Sequence, residues 1–210
     1  LIPLIIVIVF IIYNVRKINS IENFTSNQNS DKLFIKKTNN LTKIFSNDKY
    51  SIWEPIPINN YYPIGQYISL TQKKPDIMAT LVKNNIGETM DKPFQYIIQC
   101  ITNNQWGIWK PIPKDNYKSI SYIYSKEYPS KYLIRCIPSK YCIKSNIKNK
   151  LLTNKLNKND NGYELWSILD SDFFIVNNLN NQKNISNFKD IYSLNQNYLD
   201  IEHKLYIKFT

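Results

Sequence analysis

The chain has 210 residues, 43 % of them apolar and 14 % aromatic, enough for one domain with its own core and some chain to spare. Four widely spread glycines exclude a glycine-rich phosphate loop, and one histidine beside three scattered cysteines excludes the ligand spacing of a zinc site. The net charge of +11 suits anionic lipid, nucleic acid or an acidic protein, but Asn, Ile, Lys and Tyr are all over-used, as in an AT-rich coding sequence. Lysine abundance then carries little functional meaning, and nucleic acid is not an expected partner.

LIPLIIVIVFIIY (1–13) carries no charge and is followed by Arg16 and Lys17. At ~1.5 Å per residue it covers roughly 20 Å, short of a ~30 Å hydrocarbon core. Because residue 1 is Leu, the run is expected to begin inside a longer apolar helix. No small-residue cleavage site follows it and it is not amphipathic, so 1–18 reads as a single-pass transmembrane anchor rather than a signal peptide or a core helix. The basic flank places the remainder on the cytosol-equivalent side of the membrane, in keeping with Cys100, Cys136 and Cys142, an odd set without Cys-x-x-Cys spacing. A Cys136–Cys142 bridge across a turn is the one alternative. Residues 19–45 are rich in Ser, Asn and Lys and read as a polar basic tether, with LFIKK as one docked strand and a capacity for anionic headgroups. The sequons at Asn23, Asn40 and Asn184 arise by chance in so Asn-rich a chain.

From 46 onward the chain repeats itself. SIWEPIPINNYYPIG (51–65) returns as GIWKPIPKDNYKSIS (107–121), aligning Trp53, Pro55, Pro57 and Tyr61 with Trp109, Pro111, Pro113 and Tyr117. A third copy, YELWSILDSDFFIVNN (163–178), keeps Trp166 but neither proline. The repeats span about 50–84, 106–138 and 163–178, a period of one supersecondary unit. Each unit is an aromatic-led strand, a Pro-x-Pro stop, a polar turn and further alternating strands, which predicts an all-β head over 46–210. Residues 144–160 read as a polar loop. Three copies that cannot each bury an apolar face alone predict a β-prism-like, pseudo-threefold head of short antiparallel sheets. The tryptophans are expected near its axis or seams, each burying on the order of 200 Å².

The Trp-x-Pro-x-Pro copies, with Gly65 after the first and LIRCI (133–137) as a later strand, resemble the vacuolar protein sorting-associated protein 62 family over roughly 46–140. Departures are Asn in place of Gly before Tyr61 and Tyr117, Ser121 in place of Gly, and a third copy with Trp166 alone. The resemblance implies a β-prism-like fold and a trafficking or scaffold context, with no catalytic residues.

Searched for chemistry, the sequence offers no Gly-x-Ser-x-Gly and no nucleophile marked out to partner His203. Asp170 and Asp172 read as a turn rather than a cation site. Tyr61, Tyr62, Tyr67, Tyr117, Tyr122 and Tyr124 cluster in the second strands, where alternation predicts half of them outward. The expectation is a non-enzymatic, membrane-anchored scaffold without cofactor or metal. Its partners would be the lipid bilayer and other proteins of a large assembly. The composition and the anchor–tether–head layout fit a minor capsid protein of a large DNA virus, at the interface of inner membrane and capsid. The alternatives are a membrane-trafficking adaptor and a lectin-like or anionic-lipid-binding head.

Overall fold

The computed structural model describes residues 32–84, 91–102, 105–154, 162–169, 171–179 and 190–201. The expected anchor with Arg16 and Lys17, the first part of the tether, Asp170 and His203 lie outside the described residues. Among the described residues no helix is long and apolar enough to cross a membrane. The folded unit begins at Leu33.

It is built of short strands, as the alternating pattern predicts. The first repeat contributes β1 (Leu33–Thr38), β2 (Leu41–Ser46), β3 (Ser51–Pro55), β4 (Tyr61–Pro63), β5 (Tyr67–Ser69) and β6 (Ala79–Lys83). The second contributes β7 (Gln95–Ile101), β8 (Gly107–Ile112), β9 (Tyr117–Lys118), β10 (Ile123–Ser125) and β11 (Ile137–Pro138). Then come β12 (Cys142–Lys144), β13 (Ile147–Asn154), β14 (Tyr163–Ile168), β15 (Phe174–Asn178), β16 (Tyr192–Leu194) and β17 (Leu199–Ile201).

The repeat is visible in the hydrogen-bond register. Trp53, Trp109 and Trp166 each lie on the middle strand of a three-stranded antiparallel sheet, β2-β3-β5, β7-β8-β10 and β13-β14-β15. Their cross-strand neighbours are Lys43 and Tyr67, Ile98 and Ile123, and Lys150 and Ile175. In all three sheets the register slips just after the tryptophan's partner on the leading strand, between Lys43 and Phe45, Ile98 and Cys100, and Lys150 and Leu152. A bulge at the same place in each copy bends each sheet alike. A strand before each sheet pairs with one after it: β1 with β6, the isolated bridge Asp91–Cys136, and β12 with β16. β4 and β9 add to β6 and β11, and β17 lies parallel to β1 at Leu33–Leu199.

The three sheets share one interior. Ile52, Ile108 and Leu165, each next to a tryptophan in sequence, are 0 % exposed. Strand alternation turns the indoles to the face opposite these three residues, where Trp53 is buried within the main core cluster, Trp166 is half-buried against that cluster, and Trp109 is half-buried against a separate small one. The strand after each middle strand brings in Gly65, Ser121 and Phe173, which meet. A Cβ on Gly65 would collide with that of Ser121 and stand 3.0 Å from the Phe173 ring. Ser121 Oγ lies 3.0 Å from the Tyr122 carbonyl and 3.5 Å from those of Gln66 and Phe174, the next residue in each copy. The Tyr122 N–H donates to Phe174 O (3.1 Å), and the Tyr124 N–H to Gln66 Oε1 (2.8 Å). Toward one end of the interior the Tyr50 hydroxyl lies 3.2 Å from that of Tyr124 and 3.0 Å from that of Tyr163.

Two expectations are corrected. LFIKK is a strand, β1, as expected, but residues 41–45 are not tether: β2 is a strand of the same unit, with Leu33, Ile35, Leu41 and Phe45 buried, Lys36 and Lys37 half-buried and Lys43 exposed. Residues 147–154 are not loop: β13 pairs with β14, and its exposed Lys148, Asn149 and Lys150 hide the apolar period. In the third copy, which lacks Pro-x-Pro, β14 and β15 are joined by a short turn closed by Ile168 N–H to Phe173 O (3.1 Å), which includes Asp172. Asn60 and Asn116 stand where the resembled family has Gly, and both have φ 65°, a left-handed conformation that Asn tolerates.

Gly65→Ala is expected to lower stability by about 1–3 kcal/mol, because neither Ser121 nor Phe173 can withdraw. Tyr50→Phe removes both inter-sheet hydroxyl contacts and is expected to cost about 1–2 kcal/mol. Urea midpoints check both, and an unchanged midpoint for Gly65→Ala would contradict the convergence of the three segments.

Candidate functional site

Each tryptophan sits in a small station of its own on the middle strand, and the stations differ in how the indole is covered. In the first, Trp53 Nε1–H donates to Ser51 Oγ (2.8 Å), two residues back on the same face of β3. Lys43, directly opposite, holds its ammonium 5.1 Å from the indole centroid and donates to the Gln72 carbonyl (2.7 Å). In the third, Trp166 Nε1–H donates to Glu164 Oε2 (3.2 Å), again two residues back. Lys150 pairs with Glu164 Oε1 at 3.2 Å and stands 5.6 Å from the Trp166 ring. Burial pushes the Glu164 carboxyl up, but hydrogen bonds from Lys150, Asn177 and Trp166 outweigh it and hold the group below the usual carboxylate range.

The second station breaks the pattern. The position two residues back is Gly107, so there is no side chain to receive the indole N–H, which donates instead to the Ser125 carbonyl (3.2 Å). The ring fills the space that side chain would take: a Cβ on Gly107 would be 2.5 Å from Trp109 Nε1. Opposite stands Ile98 rather than lysine, and among the described residues no cation covers this indole. Tyr128 meets it edge-on, ring centroids 5.4 Å apart. Ile98, Ile101 and Tyr128 remain 42 %, 55 % and 59 % exposed. Ile101 pairs with Gly107 and Ile98 with Trp109, so one outer face of this sheet presents a run of apolar surface. Beneath it Tyr96, Ile123 and Ile134 form a small cluster of their own against Trp109 and Leu133.

The prolines and tyrosines of the motif do not gather around the tryptophans. Pro55 closes β3 opposite Leu41, whereas Pro111 lies inside β8 opposite Tyr96, so it does not end the strand. Tyr61 and Tyr117 open β4 and β9. Residues 110–119 instead line a concavity of about 320 Å³, with Tyr117, Ser119 and Lys118 facing Tyr192 and Asp190. Lys118 lies 4.7 Å from the Tyr192 ring centroid, and Lys110 is 3.9 Å from Asp190. Of the six clustered tyrosines, Tyr61, Tyr67, Tyr122 and Tyr124 are buried and Tyr62 and Tyr117 half-buried, fewer outward than alternation predicts. The exposed isoleucines of β7 escaped the sequence reading. A signal was present, since YIIQCI has isoleucine at both parities and no charge.

All three cysteines are free thiols, which removes the Cys136–Cys142 bridge. Burial pushes each of them up to about 12. Among the described residues no group of three His, Cys, Asp or Glu side chains could hold a metal ion.

No protein-family profile matches the chain, and no curated protein matches it. The crystal structure of GNIP1Aa from Chromobacterium piscinae is similar in fold, with a TM-score of 0.69 over 81 % of this chain at 16 % sequence identity. The chain spans 38 % of that protein's length. At this identity the likeness is one of fold alone.

Unfolded thiols ionise near pH ~8.5, whereas the folded ones stay neutral to about 12, so the stability they contribute is complete below the unfolded value and lost as pH rises through the folded one. Urea midpoints are expected to hold steady at neutral pH and fall progressively above pH ~9. Iodoacetamide at neutral pH is expected to spare Cys100 and Cys136 in the folded protein and to label all three cysteines in urea, with mass spectrometry as the readout.

Proposed function

We propose that the chain is a non-enzymatic, membrane-anchored scaffold whose head is a β-prism-like, pseudo-threefold body and whose outer face engages a protein partner. The reading rests most on the second station. Three copies share register, bulge and tryptophan, and in one of them the covering lysine is replaced by exposed Ile98, with Ile101 and Tyr128 beside it. Contiguous exposed apolar surface on an otherwise lysine-rich protein marks an interaction site. The head's buried polar groups support the reading as well: the hydroxyls of Tyr50, Tyr124 and Tyr163 and the amide of Gln66 are engaged with one another or with backbone across the sheets. That leaves them to hold structure rather than to act on a substrate. The resemblance of the Trp-x-Pro-x-Pro copies to the vacuolar protein sorting-associated protein 62 family, which implies a β-prism-like fold and a scaffold context, supports the same reading.

The anchor is the apolar run 1–13 with Arg16 and Lys17, and the head then lies on the cytosol-equivalent side. By compositional analogy the assembly is the inner membrane and capsid of a large DNA virus, with a cellular trafficking adaptor as the rival context. A second reading, a lectin-like or anionic-lipid-binding head, is favoured by the concavity beside Pro111 and Pro113, where Lys118, Ser119 and the rings of Tyr117 and Tyr192 come together.

The full chain expressed in cells is expected to stay with membranes through an alkaline carbonate wash, and residues 33–210 to be released. Release of both would sink the anchor. Liposomes tested with residues 33–210 separate the second reading: flotation with anionic vesicles that persists at ~0.5 M salt would favour a built lipid site over bulk charge.

A further inference from the structure

We infer that the Trp109 face is a docking site for an acidic protein segment that brings an apolar or aromatic side chain to the indole; this rests on the scaffold reading above and names the partner's chemistry. The centre of the face is uncharged: Gln95–Ile101 contains no ionisable carboxylate or amine, and Ile98 and Ile101 flank the Trp109 ring. Its surroundings are basic. Lys126 and Lys131 lie on the same loop as Tyr128, against Glu127 alone. Next to them Lys92 stands 4.0 Å from the centroid of Tyr132, which is 57 % exposed. The nearby carboxylate of Asp91 is already taken by Lys114 at 2.8 Å. An apolar centre with Trp and Tyr inside a charged rim is the anatomy of a protein interface, and the rim sets the sign of the partner.

The internal copies show that this is a departure from the scaffold's default. At the position of Ile98 the other two sheets carry Lys43 and Lys150, each lying over its tryptophan. The fold therefore accepts lysine there, and exposing isoleucine instead is not demanded by packing. A second copy of the chain is disfavoured as occupant because both would carry +11. A bilayer is a poorer fit than a protein, because Ile98 and Ile101 stand on a strand rather than at the tip of a loop.

The comparison with the other copies supplies the test. The full chain, held in zwitterionic nanodiscs and labelled with 5-fluorotryptophan, gives separate fluorine signals for Trp53, Trp106, Trp109 and Trp166. The probe is a synthetic twelve-residue peptide alternating Glu or Asp with Leu and Phe. Its controls are the same peptide with Lys for the acids and the same peptide with Ser for Leu and Phe. The acidic apolar peptide is expected to shift the Trp109 signal and leave Trp53 and Trp166 in place, and both controls are expected to bind at least about tenfold more weakly. Ile98→Lys copies the residue found in the other two sheets, is expected to leave the urea midpoint unchanged, and should weaken binding at least about tenfold. The inference is overturned if Trp109 does not respond, if the lysine peptide binds equally, if Ile98→Lys binds like the parent, or if Trp109 responds only to nanodiscs of anionic lipid. Each of these leaves the carbonate-wash test of the anchored scaffold untouched, so the two readings fail separately.

Discussion

Gly65 has no side chain because Ser121 and Phe173 already occupy the place where one would stand, and the rest of the head depends on that convergence. Each of the three residues belongs to the segment that returns from a tryptophan-bearing strand toward its neighbour. Bringing the segments together brings three small sheets within reach of one another, and Ile52, Ile108 and Leu165 close over a shared interior that no single sheet could make dry. Backbone amides that would otherwise be orphaned at the junction are taken up across it, by the Phe174 carbonyl and the Gln66 side chain. The junction tolerates little variation in volume, since one glycine, one serine and one phenylalanine fill it jointly.

The bulge beside each tryptophan's partner is the second device. It lets a leading strand curl around the interior while the tryptophan keeps its partner directly across. The indole then does two jobs of different kinds. Its ring covers the middle strand, and its N–H must find an acceptor, which is Ser51, the Ser125 carbonyl or Glu164 depending on what side chain stands two residues earlier. That local choice propagates outward. Ser51 and Glu164 accompany a lysine over the ring, whereas Gly107 accompanies a bare one. Three copies of one packing solution thus leave three chemically different surfaces, and the second sets an exposed isoleucine opposite its tryptophan where the other two set lysine.

Much of this was legible from residues alone. Period-two alternation punctuated by Pro-x-Pro announced strands, and the spacing of Trp53, Trp109 and Trp166 announced three equivalent sheets before any register was known. The strand character of Leu41–Ser46 and of Ile147–Asn154 was hidden because exposed positions carry polar residues such as Lys and Asn, which also fill loops in this chain. The face to which each tryptophan turns was not legible for a related reason: an adjacent aliphatic–aromatic pair can take either parity, and parity on a strand is fixed only once one neighbour's direction is known.

The sequence by itself determined the class of structure and its internal count, because alternation, proline stops and a repeated period are properties of the chain taken residue by residue. The meeting of Gly65, Ser121 and Phe173, the linking of Tyr50 to Tyr124 and Tyr163, and the exposure of Ile98 and Ile101 beside Trp109 were decided only in three dimensions. These contacts join residues far apart in the chain, and whether a side chain is covered depends on what the neighbouring strands and loops place above it, which no local pattern encodes.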